Sequence, residues 1–473
     1  MGARRRYGAW LALALAASCG ADGSSASSRN AFHVTGIIEG FYGPPYPHED
    51  RLALLEFLGR NGLDHYVYAP KTDPYHRARW RDPYPEADLA RFGELAAAAE
   101  RAGVTFTFAV SPTDIVFTRD SDVEALTAKL DALWSEGVRS FTLSFDDTIP
   151  VLTDPGDLLH YGLDVGRAHG ELANRVLAHL RSFGEPVELF FTPMDYNGAI
   201  QPYSHRLGET LDPGVPVFWT GSGVWSPTVD ASYMDQVATA LRRQALVWDN
   251  FPVNDGPFVN QLNLGRYRGR DPALGDAVDG VLLNTMIQPR ASEVAVYQLG
   301  RYAAAPATYD PERAWSDALR AVAPGSAAFR LFANQSSASF LDPTESAELE
   351  MDVDALYDSF DAGGAAFQSA ATALGDLLDR FAGIRAELAS EVADPRLLAE
   401  IDPWALRLES LGRIGREGLD RIVAGRDSRP DRAQAVLVKA LAVESASDPH
   451  RMCGDAIARF LSEGADRLAL PPG

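Results

Sequence analysis

Two adjacent aspartates, Asp146 and Asp147, follow the run Ser-Phe-Thr-Leu-Ser-Phe over Ser140–Phe145. Paired carboxylates suit general acid–base chemistry, in which one acid stays ionised while its neighbour holds a proton. Side chains alternate between the two faces of a β-strand, so consecutive acids cannot both enter one pocket while the chain stays regular. If both serve one site, the backbone must turn at the pair. An isolated Asp-Asp also suits a helix cap or a solvated loop, so its meaning depends on the elements around it.

Eight short apolar or β-branched runs stop at polar or small-residue loops: Val34–Glu39, His65–Ala69, Thr105–Val110, Ser140–Phe145, Val187–Phe191, Val215–Thr220, Ala245–Trp248 and Gly280–Leu283. Segments of helical period lie between most of them, including Asp50–Gly59, Asp88–Ala102, Val123–Trp134, His169–Phe183 and Ser232–Arg243. Gly103, Gly137 and Gly184 follow three of these as C-terminal stops. Eight alternating units predict a closed parallel (β/α)8 TIM barrel, whose chemistry belongs at the C-terminal ends of its strands. The long segments Asp147–Gly166 and Pro193–Gly214 read as functional loops. Beyond about residue 310 the strand signal ends. Leu374, Leu377, Leu378, Phe381, Ile384 and Leu388 form one helical stripe, Leu406, Leu408, Leu411, Ile414, Leu419 and Ile422 another, and Ala433–Val443 and Asp455–Leu468 add further helices. The expected organisation is residues 1–30 as leader and tether, 31–310 as barrel and 311–473 as a C-terminal α-helical bundle.

The strand ends collect one set of side chains. They are Glu39-Gly40-Phe41-Tyr42-Gly43, Ala69-Pro70-Lys71-Thr72-Asp73, Asp146-Asp147, Thr192-Pro193-Met194-Asp195-Tyr196-Asn197-Gly198, Trp248-Asp249-Asn250 with Asn254-Asp255, and Asn284. Carboxylates, amides, one lysine and aromatic rings on one rim suit a polyhydroxylated ligand. The nine histidines form no His-x-His or His-x-x-x-His pair, so a metal centre is not expected. No cofactor is expected, with no phosphate-cradling glycine loop before a helix, and no Gly-x-Ser-x-Gly elbow marks a serine nucleophile.

The chain of 473 residues has 43 basic against 65 acidic side chains, a net charge of −22. Nucleic acid and anionic membrane surfaces are therefore poor partners, and a polyanion such as hyaluronan would be repelled unless a local basic groove intervened. A neutral sugar would not feel that repulsion. Arg4, Arg5 and Arg6 precede about a dozen mostly apolar residues, the pattern of an export signal. Leu15-Ala16-Ala17-Ser18-Cys19 is similar to a bacterial lipobox, with Cys19 as the lipidated residue. The expectation is an exported protein, either a cell-envelope lipoprotein or, after ordinary cleavage, a periplasmic or secreted one. Cys453 would then be the one ordinary cysteine, leaving no partner for an intramolecular disulfide.

The strand-end motifs Gly36-Ile37-Ile38-Glu39-Gly40-Phe41-Tyr42-Gly43-Pro44-Pro45, Tyr68-Ala69-Pro70-Lys71, Phe145-Asp146-Asp147, Trp248-Asp249-Asn250 with Asn254-Asp255, and Gly280-Val281-Leu282-Leu283-Asn284 resemble glycoside hydrolase family 84, the O-GlcNAcases and bacterial β-N-acetylglucosaminidases. Thr285 stands where that pattern has Pro, and Tyr46 where Trp is frequent. The resemblance implies retaining hydrolysis of terminal β-linked N-acetylglucosamine on glycans or glycoproteins, with the sugar's own acetamido group as nucleophile. It implies that Asp146 orients the acetamido group and that Asp147 is the general acid and base. Gly40, Lys71, Asp255 and Asn284 would meet ring hydroxyls. Tyr196 and Asn250 would hold the acetamido group and the aspartates, and Trp248 would wall the methyl pocket. A hyaluronan-degrading enzyme of the same chemistry and a non-catalytic N-acetylglucosamine-binding surface protein are the competing readings.

Overall fold

The computed structural model describes residues 31–149 and 151–471; the proposed leader, tether and Cys19 lie outside them. Eight strands, β1 (Val34–Glu39), β2 (His65–Tyr68), β3 (Thr105–Val110), β4 (Ser140–Ser144), β5 (Glu188–Thr192), β6 (Val217–Trp219), β7 (Ala245–Asp249) and β8 (Gly280–Asn284), pair in parallel and in sequence order. Pairing of β8 with β1 closes the barrel. The (β/α)8 expectation holds; β1 and β3 have the limits read in the sequence, and those of the other strands differ by one or two residues. Gly103, Gly137 and Gly184 adopt positive φ behind their helices, as expected of stops.

Alternation sorts the strand residues into two cores. Val34, Ile38, Val67, Ala109, Phe190, Phe218, Leu246 and Leu282 form one buried cluster inside the barrel. Ile37, Tyr66, Phe108, Phe141, Leu143, Phe191 and Val247 point the other way, into the layer shared with the surrounding helices. The two long segments are more ordered than expected. Each contains a short helix, Pro155–Tyr161 and Pro202–Thr210, with proline in its first turn. Asp154 caps the first by accepting from Gly156 N–H at 2.8 Å.

The C-terminal region is helical. Gly364–Glu391 and Pro395–Gly425 pack along one another, joined by Arg432–Ser445 and Ala456–Ala469. Their stripes meet in a second core with Leu262, Met286, Ala291 and Val294 of the barrel. Leu406 departs from its expected place: it is half exposed, and Trp404, Ala405 and Leu408 take the inner face. Contacts with the barrel are also polar. Trp404 Nε1 and Arg451 N–H both donate to the Asn260 carbonyl at 2.9 Å. The Glu400 carboxylate accepts from the N–H groups of Arg290 and Ala291, at the start of the helix that follows β8. Among the described residues, no helix is long and apolar enough to cross a membrane.

Several strand-end acids face away from the barrel axis and support its wall. Glu39 is fully buried and accepts two bonds from Arg51 at 2.8 Å and one from Tyr66 Oη at 2.6 Å. Asp249 is paired with buried Arg270 at 2.7 and 2.5 Å and accepts from Tyr267 Oη at 2.8 Å. Arg270 also donates to the carbonyls of Ser226 and Pro227, tying β7 to the loop after β6. Removing one partner of such a buried pair leaves an uncompensated charge. Arg270→Met is therefore expected to lower stability by about 3–5 kcal/mol, read as a reduced urea midpoint; an unchanged midpoint would show that Asp249 needs no counter-charge.

Candidate active site

The inward positions at the C-terminal strand ends open into one cavity of about 370 Å³. On β4 the inward set is Ser140, Thr142 and Ser144, and the next inward position is Asp146. Asp147 would face outward in a regular strand, but its φ is +57°. That left-handed turn, tolerated by Asp better than by most residues, brings the second carboxylate to the same cavity. The turn that the sequence required is present at the second acid.

The two acids have different surroundings. Asp146 is buried. Its Oδ2 accepts a hydrogen bond from Lys71 Nζ in an ion pair, and its Oδ1 is buried with no partner among the described residues. Asp147 is exposed at the mouth. Tyr42 Oη donates to its Oδ2 at 2.7 Å and Tyr196 Oη to its Oδ1 at 3.1 Å. Burial, then the neighbouring Asp147, pushes the Tyr42 phenol up to about 12. Burial followed by the charge of Asp147 raises Tyr196 in the same direction. Both phenols therefore remain donors at neutral pH.

Lys71 is buried, with its ammonium 5.4 Å from the centre of the Trp248 ring. Trp248 stands edge-to-face on Phe218, with ring centres 5.6 Å apart, and donates Nε1–H to Asn250 Oδ1 at 2.9 Å. Asn250 Oδ1 also accepts from Asn284 Nδ2 at 2.9 Å, while Asn250 Nδ2 donates to the Val224 carbonyl at 2.9 Å. Asn284 Oδ1 accepts from Gly40 N–H at 3.2 Å. Each amide keeps one N–H for a ligand after these bonds. Asp255 accepts from Tyr42 N–H at 2.6 Å, and burial raises its pKa above the usual carboxylate value.

All nine residues expected to catalyse or bind substrate line this cavity: Gly40, Lys71, Asp146, Asp147, Tyr196, Trp248, Asn250, Asp255 and Asn284. One expected contact differs: Asn250 bonds Trp248, Asn284 and Val224, and neither aspartate. Other strand-end residues lie elsewhere. Glu39 and Asp249 serve the buried pairs described above, Asp73 accepts from Tyr68 and Tyr84, and Asn254 bonds Gln261 and Gln288. Sequence reasoning did not assign Tyr42, Thr192, Thr220 or Trp225, which also line the cavity. Tyr42 and Thr192 lay inside strand-end segments already singled out, without a role of their own. Thr192 and Thr220 occupy the inward parity after Phe190 and Phe218, a signal that counting by twos would have found. Trp225 belongs to the loop after β6, which had no strand-end motif. The two departures from the family pattern touch: Tyr46 Oη donates toward Thr285 Oγ1 at 2.8 Å and also reaches the Met286 carbonyl. Among the described residues, no group of three or more His, Cys, Asp or Glu side chains is placed to hold a metal.

A closed barrel with two neighbouring acids and a ring of amide and aromatic groups at its C-terminal mouth has the architecture of a glycoside hydrolase. The family model for β-N-acetylglucosaminidase matches residues 35–334. The chain belongs to that family, glycoside hydrolase family 84. It is 32% identical over 290 residues to the protein O-GlcNAcase of Rattus norvegicus, covering 60% of this chain and 31% of that one. It is 33% identical over 277 residues to the Mus musculus protein O-GlcNAcase, covering 57% and 30%. It thus spans about a third of those relatives' length. Among solved structures, a mutant of the Thermobaculum terrenum O-GlcNAc hydrolase superposes with a TM-score of 0.84 at 30% identity, over 92% of this chain and 95% of that one. The protein named CpGH84B superposes with a TM-score of 0.81 at 27% identity, over 92% and 77%.

A Cβ on Gly40 would lie 2.6 Å from Trp248 Cζ2 and 3.0 Å from Cη2. Gly40→Ala must therefore push the ring aside, and with it the Asn250 anchor. Overpacking of this kind costs about 1–3 kcal/mol. The expected results are a lowered denaturation midpoint and a reduced kcat/KM on an aryl N-acetyl-β-glucosaminide; an unaltered kcat/KM would remove Trp248 from the ligand wall.

Proposed function

We propose that this chain is a retaining exo-β-N-acetylglucosaminidase of the O-GlcNAcase type, acting on terminal N-acetylglucosamine of glycans or glycoproteins by substrate-assisted catalysis. One observation carries the reading: Asp146 Oδ1 is a buried acceptor with no partner among the described residues, in the same cavity as an exposed second carboxylate held by two phenols. A buried acceptor of this kind calls for a donor, and the acetamido N–H of the sugar is that donor.

In the first step the acetamido oxygen attacks the anomeric carbon while the bond to the leaving oxygen breaks. The leaving oxygen takes the proton of Asp147. Positive charge grows on the forming oxazoline, whose N–H is held by Asp146; Lys71, on the other oxygen, fixes that carboxylate in place. In the second step Asp147 removes a proton from water, and the water oxygen adds to the anomeric carbon. The oxazoline opens, and two inversions give net retention. The Trp248 ring encloses the acetamido methyl, and Asn284, Asp255 and the Gly40 backbone meet ring hydroxyls.

Asp147→Asn is expected to slow substrates with poor leaving groups by roughly 10²–10⁴-fold and activated aryl glycosides far less, measured as kcat/KM across a series of leaving groups. Replacing the N-acetyl group by N-trifluoroacetyl weakens the nucleophile and should depress the rate steeply. Equal rates for the two would exclude the acetamido group as nucleophile.

The N-terminal sequence supports a second element of this reading, an exported lipoprotein carrying lipid on Cys19. In a bacterial host, palmitate label should be incorporated into the full chain and disappear in Cys19→Ala, with the protein moving from the membrane to the soluble fraction. Absence of label on the unaltered chain would leave ordinary signal cleavage as the route.

A further inference from the structure

The mouth of the cavity carries two exposed aromatic rings with different commitments. Tyr42, 48% exposed, spends its hydroxyl on Asp147, and one face lies under the Arg77 guanidinium at 5.9 Å. Trp225 is 37% exposed, and its ring contact is edge-to-face with Phe258, centroids 5.1 Å apart at 85°. No cation or second ring covers its face among the described residues.

The loop holding Trp225 is built to keep that ring in place. Asn250 Nδ2, from the cavity floor, donates to the Val224 carbonyl at 2.9 Å. Thr220 Oγ1 donates to the Gly223 carbonyl at 2.8 Å, and Gly223 N–H to Ser226 Oγ at 3.1 Å. Gly221 has φ +111°, and a Cβ there would lie 2.6 Å from Ser226 Oγ, so the turn requires glycine. A fixed indole beside a saccharide site presents area at little entropic cost.

The floor of the cavity is buried and holds Lys71, Asp146, Trp248 and Asn284, whereas Asp147, Trp225, Gly256 and Pro257 are exposed at its mouth. The leaving group emerges at the mouth beside Asp147, the group that protonates it, and Trp225 is exposed on the lining of the same mouth. We propose that Trp225 is a specificity-determining residue on whose indole face the first sugar ring of the leaving group stacks, and that the preferred leaving group is a neutral saccharide. This rests on the glycosidase reading above. A chain of net charge −22, with Asp147 and Asp255 lining the mouth, repels polyanions. A pyranose ring offers a flat C–H face to an uncovered indole, which the backbone of an extended peptide does not.

The test compares three substrates: a β-linked N-acetylglucosamine disaccharide, a peptide bearing N-acetylglucosamine on serine, and N-acetyl-β-glucosaminyl fluoride, whose leaving group has no ring. In Trp225→Ala the ratio of kcat/KM for the disaccharide to that for the fluoride is expected to fall about tenfold, and Trp225→Phe should restore part of it. An unchanged ratio overturns the stacking role. An equal fall in the glycopeptide-to-fluoride ratio overturns the preference for a saccharide. Failure of the unaltered protein to cleave the fluoride would instead reject the glycosidase reading itself.

Discussion

The active site depends on the two-residue alternation of side chains around a closed barrel and on a single break in it. Inward parity alone carries Gly40, Lys71, Asp146, Asn250 and Asn284 toward one cavity: Asn284 ends the inner row of β8, Gly40, Asp146 and Asn250 continue theirs by one step, and Lys71 continues that of β2 beyond Ala69. Asp147 is the exception. Its left-handed backbone turns an outward position back toward the mouth and places two carboxylates on one cleft in unlike surroundings. One is buried beside an ammonium; the other is exposed between two phenols.

Around that pair the protein spends many polar groups on position. Asn250 joins Trp248, Asn284 and the loop after β6 through three hydrogen bonds, so the wall, floor and mouth of the cavity are mechanically one unit. Behind it, the buried Arg270–Asp249 pair holds the outward side of the same strand. The helical region contributes at a distance by fixing Asn260, in the segment that follows Asp255. Tyr46 and Thr285 show the same economy. A phenol and a hydroxyl bond each other where the family pattern has indole and proline, so two departures that look unrelated along the chain form one local contact.

The sequence displayed the barrel well because its strands are short apolar runs broken by polar loops, and because glycines mark the helix ends. It displayed the C-terminal helices for the same reason, with Leu406 misplaced since a stripe on a long helix drifts as neighbours choose which face to cover. The long segments after β4 and β5 read as irregular loops, although their Asp-Pro and Gln-Pro starts are helix openings of only two turns, too short for periodicity to register.

By itself the sequence determined which residue types stand at each strand end, since hydrophobic period and chain order fix the barrel and hence its chemical rim. Only the tertiary structure separated acids of the same apparent standing: Glu39 and Asp249 went to arginines behind the barrel wall, while Asp146, Asp147 and Asp255 went to the cavity. It also brought Trp225 from an unremarked loop to the mouth. The physical reason is that one residue of parity, or one left-handed φ, decides which side of the wall a side chain meets. That choice is settled by partners far along the chain, such as Lys71, 75 residues before Asp146, and Asn284, 34 residues after Asn250.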